Sequence, residues 1–253
     1  MKQNKINILN PKLTIGWLYP ELMSTYGDRG NIIVLKKIAE DHNINVEILR
    51  INQETDDKAL IECDLLFMGG AQDLQQEIVN KDLIEKKGAT LIKMIEREIP
   101  GLYICGAYQF LGKYYKDSYG TKIPGLGVFE MYTESDAKKD RLIGNIVVDY
   151  NGELLVGFEN HGGRTFLQDK NMGFAKVVKG YGNNGENGTE GIFYKNSIGT
   201  YMHGPILPSN PTLAVKLLEM AMEKKYDKKV SLSFDDTLAK KAKGIILSRL
   251  GIK

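Results

Sequence analysis

Apolar residues in the first hundred positions come as short, nearly continuous runs, separated by stretches with helical spacing. Leu13-Thr-Ile-Gly-Trp-Leu-Tyr19, Asn45-Val-Glu-Ile-Leu49 and Asp64-Leu-Leu-Phe-Met68 carry few polar residues, the pattern of strands covered on both faces. Between the first two, Asp28 is placed to N-cap a helix reaching about His42, with Ile32, Leu35 and Ala39 on one side. Gly69-Gly70-Ala71 breaks the third run, and one helix is predicted from about Asp73 to Glu98. A fourth strand, Gly101–Ile104, follows. This alternation predicts a three-layer α/β sandwich around a mostly parallel sheet.

After about Pro124 the texture changes. Ile143–Asp149, Leu154–Asn160, Phe174–Val178 and Gly191–Tyr194 are short, and glycine and asparagine separate them, notably in Tyr181-Gly-Asn-Asn-Gly-Glu-Asn-Gly188. That predicts antiparallel strands added to the core sheet. Ser197–Met202 is strand-like. Two helices close the chain: one opens at Pro211 and carries Leu213, Leu217 and Ala221, the other carries Leu238, Ala242, Ile246 and Leu250. With no repeat and no linker, the division is an N-terminal extension over 1–12 and a single domain over 13–253.

Composition narrows the classes. Of 253 residues, 42% are hydrophobic and 26% charged, ordinary values for a globular chain with a substantial core. A net charge of +2 gives no reason to expect nucleic acid, and the C-terminal lysines read as a solvated face. Two cysteines, Cys63 and Cys105, suit a reducing compartment better than a disulfide framework. Neither a signal peptide nor a run of about 18 apolar residues is present, so the expectation is a cytoplasmic protein without a membrane span.

Candidate chemistry centres on Gly101-Leu-Tyr-Ile-Cys105-Gly-Ala-Tyr-Gln109, where a buried strand runs into a cysteine and then into residues small enough to turn into a helix. Such an elbow lifts a nucleophile off the sheet and aims backbone amides at it. The alternative is a buried cysteine acting as a small hydrophobe. Of three histidines, His42 sits among polar residues and reads as a surface group. His203 ends a strand on a Gly204-Pro205 turn, at the edge where open α/β sheets bind ligands. A thiol nucleophile needs such an imidazole. The amides of Gly70 and Gly106 are candidates for an oxyanion hole; a plain strand-to-helix turn is the other reading of the glycine pair.

These residues resemble a known family. Cys105 to Gln109 is similar to the C-x-G-x-Q nucleophile motif of class I glutamine amidotransferases, with Ala107 in place of the glycine. Tyr26-Gly-Asp-Arg-Gly-Asn31, Phe67-Met-Gly-Gly70, Gly157-Phe-Glu-Asn-His161-Gly-Gly-Arg-Thr165 and Tyr201-Met-His-Gly204 resemble the cobyric-acid-synthase-like branch. Tyr132-Thr-Glu-Ser135, Arg141-Leu-Ile-Gly144, Gly180-Tyr-Gly-Asn-Asn184 and His203-Gly-Pro-Ile-Leu207 bring it nearest to the glutaminase subunits of lipid II isoglutaminyl synthases. The likeness covers about residues 13 to 210.

The resemblance implies a flavodoxin-like glutaminase fold in which Cys105 attacks the carboxamide of L-glutamine and His203 moves the proton. It also implies that ammonia passes to a Mur-ligase-like synthetase subunit, which amidates the D-glutamate α-carboxyl of lipid II to D-isoglutamine. ATP and magnesium are expected on that partner, because this chain has no phosphate-binding loop motif and is expected to need no cofactor or metal of its own. Arg141 is the candidate anchor for the glutamine α-carboxylate and Gln109 a second substrate contact; His161 and Arg164 are expected to shape the pocket or partner surface. A stand-alone hydrolase of γ-glutamyl compounds, a non-enzymatic binding protein and the glutaminase of a cobyrinic-acid-type amidating system are the alternatives; the chain's length disfavours only a full cobyric acid synthase. One departure bears on mechanism. Many relatives carry a glutamate two positions after the histidine, where this chain has Pro205. That leaves backbone, a distant acid such as Asp28, or a group from the partner to orient His203.

Overall fold

Each early apolar run becomes a strand of one sheet. The computed structural model describes residues 8–71 and 73–252, so most of the N-terminal extension lies outside the described residues. In chain order it contains β1 (Lys12–Leu18), α1 (Arg29–Asp41), β2 (Asn45–Ile51), β3 (Leu65–Met68), α2 (Asp73–Asp82), α3 (Gly88–Glu96), β4 (Gly101–Ile104) and α4 (Gly106–Leu111). There follow β5 (Tyr114–Lys116), β6 (Lys122–Pro124), β7 (Met131–Ser135), β8 (Leu142–Tyr150), β9 (Glu153–His161) and β10 (Gly163–Leu167). The chain ends with β11 (Ala175–Lys179), β12 (Thr189–Glu190), β13 (Ile192–Tyr194), β14 (Ser197–Thr200), α5 (Ile206–Ser209), α6 (Pro211–Tyr226) and α7 (Thr237–Arg249).

The core sheet has the order β13-β14-β4-β3-β1-β2, parallel throughout except for β13 at one edge. Alternate residues of its strands feed two separate cores. Leu65, Phe67, Leu102 and Ile104 pack with Leu35 of α1 and Leu213 and Leu217 of α6; Leu66, Met68 and Tyr103 pack with Leu91, Met94 and Ile95 of α3. Burial on both faces is why these strands read as unbroken apolar runs. Each such aliphatic side chain contributes about 1.5–3 kcal/mol relative to exposure. The architecture is the three-layer α/β sandwich expected from the pattern.

Three expectations are corrected. The helix predicted over Asp73–Glu98 is broken by a π-helical turn at Leu83–Lys87. There Lys87, fully buried, donates to Asp82 Oδ2 at 2.7 Å, and the hydroxyl of Tyr19 donates to the same oxygen at 2.8 Å. A buried cation needs such a partner, and the wider turn accompanies that pairing. The later antiparallel strands, β13 apart, do not extend the core sheet; they form two four-stranded sheets, β10-β7-β5-β6 and β12-β11-β8-β9. His42 is half-buried rather than a surface group, and its Nε2 accepts from Ser233 N at 3.0 Å.

The β8–β9 hairpin turns on Asn151 (φ 55°) and Gly152 (φ 86°), the residue pair that two-residue hairpins favour. Its far end reaches the core sheet: Phe158 and His203 form an isolated antiparallel bridge, with N–H···O distances of 3.1 and 2.7 Å. Among the described residues no helix is long and apolar enough to cross a membrane.

Candidate active site

Cys105 occupies the turn between β4 and α4 with φ 53° and ψ −107°, a region L residues avoid. Two backbone bonds hold it there: its N–H donates to Thr200 O at 2.8 Å, and its carbonyl accepts from Gln109 N at 3.0 Å. The strained turn delivers the half-buried thiol to a cavity of about 400 Å³, which it lines with Gln109, Arg141, Asn160, His161 and His203. The second cysteine stands apart from this chemistry. Cys63 is buried, its thiol donates to Ala59 O at 3.3 Å, and burial pushes its pKa up to about 12.

His203 is 1% exposed, with Nδ1 3.5 Å from Oδ1 of the fully buried Asp28. Burial alone would lower the imidazole pKa, but the hydrogen-bonding environment of Asp28 and Cys105 outweighs it and holds His203 at about 10. Where Pro205 offers no acid, the carboxylate that the fold brings beside His203 is Asp28, from the loop after β1. Asp28 does stand at the N-cap position of α1, but its side chain makes no capping bond; the carboxylate turns instead toward His203 and accepts from Gly70 N through Oδ2 at 2.7 Å. The Tyr26 ring covers the imidazole edge-on, with centroids 5.0 Å apart.

That bond corrects the role expected of Gly70. Its amide is engaged by Asp28, so it fixes that carboxylate rather than pointing at an oxyanion. Gly70 matters sterically as well: a Cβ there would lie 2.8 Å from His203 Cε1 and 3.3 Å from Cys105 Cβ. Only a glycine lets thiol and imidazole close over that strand end. The Gly106 amide is the first of α4 and has no partner within the helix. A Cβ on Gly106 would meet Gln76 Nε2 at 2.8 Å; Gln76, which also lines the cavity and donates to Ala71 O at 2.8 Å, gave no signal in the sequence.

Gln109 lies one turn beyond Cys105, 5% exposed, with Nε2 donating to Tyr201 OH at 3.1 Å. Tyr201 also meets Thr165 Oγ1 at 2.6 Å and stacks on His161, with centroids 3.6 Å apart. His161 has Nδ1 on Gly163 O at 2.7 Å, and burial lowers its pKa, so it is a neutral wall of the cavity. Glu190 accepts from Thr200 Oγ1 and Tyr201 N at 2.6 and 2.7 Å, fixing the strand end that carries His203. Arg141 reaches the same cavity with its guanidinium held by Asn160. Arg164 lies outside the lining of that cavity, bonded to the carbonyls of Gly162 and Asp140. Tyr26, Asn160 and Tyr201 carried no individual signal, because each acts through a partner distant in the chain.

Residues 14–211 match the CobB/CobQ-like glutamine amidotransferase domain family. The chain is 44% identical to the lipid II isoglutaminyl synthase (glutamine-hydrolyzing) subunit GatD of Staphylococcus aureus, over 94% of this chain and 96% of that protein. It is 42% identical to the subunit of the same name from Streptococcus pneumoniae, over 90% and 88%. A probable cobyric acid synthase of Methanosphaera stadtmanae is 29% identical over 77% of this chain but only 39% of its own length. In solved structures the fold resembles a glutamine amidotransferase, with TM-score 0.55 and 17% identity, covering 82% of this chain and 98% of that one. It also resembles PurLQS from Thermotoga maritima, with TM-score 0.54 and 15% identity, covering 87% of this chain and all of the other.

Proposed function

The chain belongs to the CobB/CobQ-like glutamine amidotransferase family, and we propose that it is the glutamine-hydrolysing subunit of a lipid II isoglutaminyl synthase. The observation that carries this is end-to-end similarity to two such subunits, set against cobyric acid synthases that this chain matches over well under half their length. The site has the groups that glutamine hydrolysis needs.

In this reading the Cys105 thiolate attacks the side-chain carboxamide carbon of L-glutamine, and the Gly106 amide donates to the oxyanion that forms. His203, oriented through Nδ1 by Asp28, gives its proton to the leaving nitrogen, and ammonia departs. A γ-glutamyl thioester remains on Cys105. The now neutral imidazole takes a proton from water, whose hydroxide attacks the thioester; glutamate leaves and the thiolate–imidazolium pair returns. Arg141 binds the α-carboxylate of glutamine and Gln109 makes the second substrate contact. The ammonia is used by a Mur-ligase-like synthetase subunit that binds ATP and magnesium and amidates the D-glutamate α-carboxyl of lipid II. The working compartment is the cytoplasm, consistent with two unpaired cysteines.

The test is intact-mass spectrometry after incubation with a glutamine analogue carrying an electrophile at the carboxamide position. One adduct is expected on the wild type, mapped to Cys105, and none on Cys105→Ala. Co-purification with a Mur-ligase-like chain, followed by glutamine-dependent amidation of lipid II, tests the partner. Trapping without any such association would instead indicate a stand-alone γ-glutamyl hydrolase. An untrapped Cys105 would end the enzymatic reading.

A further inference from the structure

The guanidinium of Arg141 is exposed at the cavity wall, where an unrestrained side chain of this length samples many rotamers. Here it does not. Its Nε donates to Asn160 Oδ1 at 3.0 Å and its Nη2 to the Asn160 backbone carbonyl at 3.0 Å. Those two donors form one edge of the planar fork, so the Nη1–Nη2 edge remains for a carboxylate. The clamp is neutral, which matters. A carboxylate at position 160 would hold the same edge but cancel the charge that attracts the ligand.

Asn160 is itself fixed from the other side. Arg141 Nε can only donate, so it turns the amide oxygen toward itself, and the remaining Nδ2 donates to Tyr26 OH at 2.7 Å. Tyr26 is held in a left-handed conformation (φ 55°, ψ 27°), two residues before Asp28, with its ring against His203. An unbroken series of contacts thus joins the anchor Arg141 to the catalytic imidazole through Asn160 and Tyr26.

We propose that Asn160 is a positioning residue that pre-orders Arg141, its amide held from the far side by Tyr26, so that the site selects carboxamides bearing an α-carboxylate. The inference rests on the glutaminase reading for the identity of the ligand. L-glutamine is the fitting ligand because its α-carboxylate would meet the open guanidinium edge while its carboxamide reaches Cys105.

The experiment is a calorimetric titration of L-glutamine into the synthetase complex carrying Cys105→Ala, which binds without turning over. It is repeated with Asn160→Ala, Arg141→Ala, both together, and Tyr26→Phe. Asn160→Ala and Arg141→Ala should each weaken binding about tenfold or more, the scale of a hydrogen-bonded charged contact. The double variant should be weaker than Arg141→Ala by less than about twofold, since Asn160 acts through the arginine. Tyr26→Phe keeps the ring and the fold, and should weaken binding severalfold. With Cys105 restored, the same order should appear in KM, with kcat changed by less than about threefold. Unchanged affinity in Asn160→Ala, or an undiminished loss once Arg141 is gone, would overturn the proposal. Glutamine that binds to the Cys105→Ala parent but is never hydrolysed once Cys105 is restored would sink the glutaminase reading while the titrations still decide the role of Asn160. No binding to the parent would overturn both.

Discussion

Cys105 and His203 follow two neighbouring strands and Asp28 stands at the start of α1, and their chemistry depends on how few groups surround the imidazole. His203 is buried with its two nitrogens left to Asp28 and Cys105, so loss of the carboxylate leaves a buried ring with no orienting partner. Asp28→Ala should therefore lower kcat for glutamine about 10²-fold, within the range of general acid–base effects, and change KM less. Steady-state kinetics check it; equal losses in binding and turnover would place Asp28 elsewhere in the mechanism. The same pair predicts a pH dependence. In the unfolded chain the imidazole titrates near 6.5, whereas the folded protein holds its proton to about 10. Between those values the native state binds more protons, so the pair's stabilisation is complete below about pH 6.5 and lost as pH rises toward 10. The melting-temperature advantage of wild type over His203→Gln should shrink across that interval, and a constant difference would contradict the assignment.

At the scale of elements, the site exists because short turns bring strand ends together without side chains in the way. The β3–α2 turn passes between acid, imidazole and thiol only because Gly70 lacks a Cβ, and its amide ties the turn to Asp28. Gly70→Ala should remain folded, since the turn is held from several sides. It should displace His203 and lower kcat by about tenfold or more, as misplacement of a reacting group by a fraction of an ångström does. Normal turnover in a folded Gly70→Ala protein would show that the imidazole has room to move. The β8–β9 hairpin has a complementary role: its bridge to His203 through Phe158 places Asn160 and His161 on the opposite wall. The elbow was legible in the residues themselves, because a strand, a cysteine and small residues leave few other conformations. The hairpin's placement was not. Its two strands were visible as Ile143–Asp149 and Leu154–Asn160, but nothing local says which sheet they join.

For the whole molecule the decisive point is that Cys105, His203 and Asp28 meet within one chain. The expectation that a partner subunit orients His203 followed from Pro205; in the folded chain Asp28 already lies 3.5 Å from His203 Nδ1. The isolated chain should hydrolyse glutamine with a kcat within about tenfold of that in the synthetase complex, short of the roughly 10²–10⁴-fold that a missing acid–base group costs. Glutaminase assays with and without the synthetase test this, and a larger stimulation would mean that the partner completes the site. The two cores explain why the scaffold can hold such a strained arrangement. Sheet residues are packed from both sides, and the elbow inherits that rigidity.

By itself the sequence determined the layers and the strand that carries Cys105, and it singled out Cys105 and His203, which the fold brings to one cavity. Those properties are written in local periodicity and in motifs whose residues are adjacent. It also named Arg141 and Asp28, though Asp28 read equally well as a helix cap. Only the tertiary structure decided that Asp28 faces His203 instead of capping α1, that the Gly70 amide serves the acid rather than an oxyanion, and that Asn160 and Tyr26 hold Arg141. The physical reason is the same in each case. A hydrogen-bonding side chain has several short-range partners on offer, and which one it takes depends on residues far away in the chain that folding brings within 3 to 4 Å.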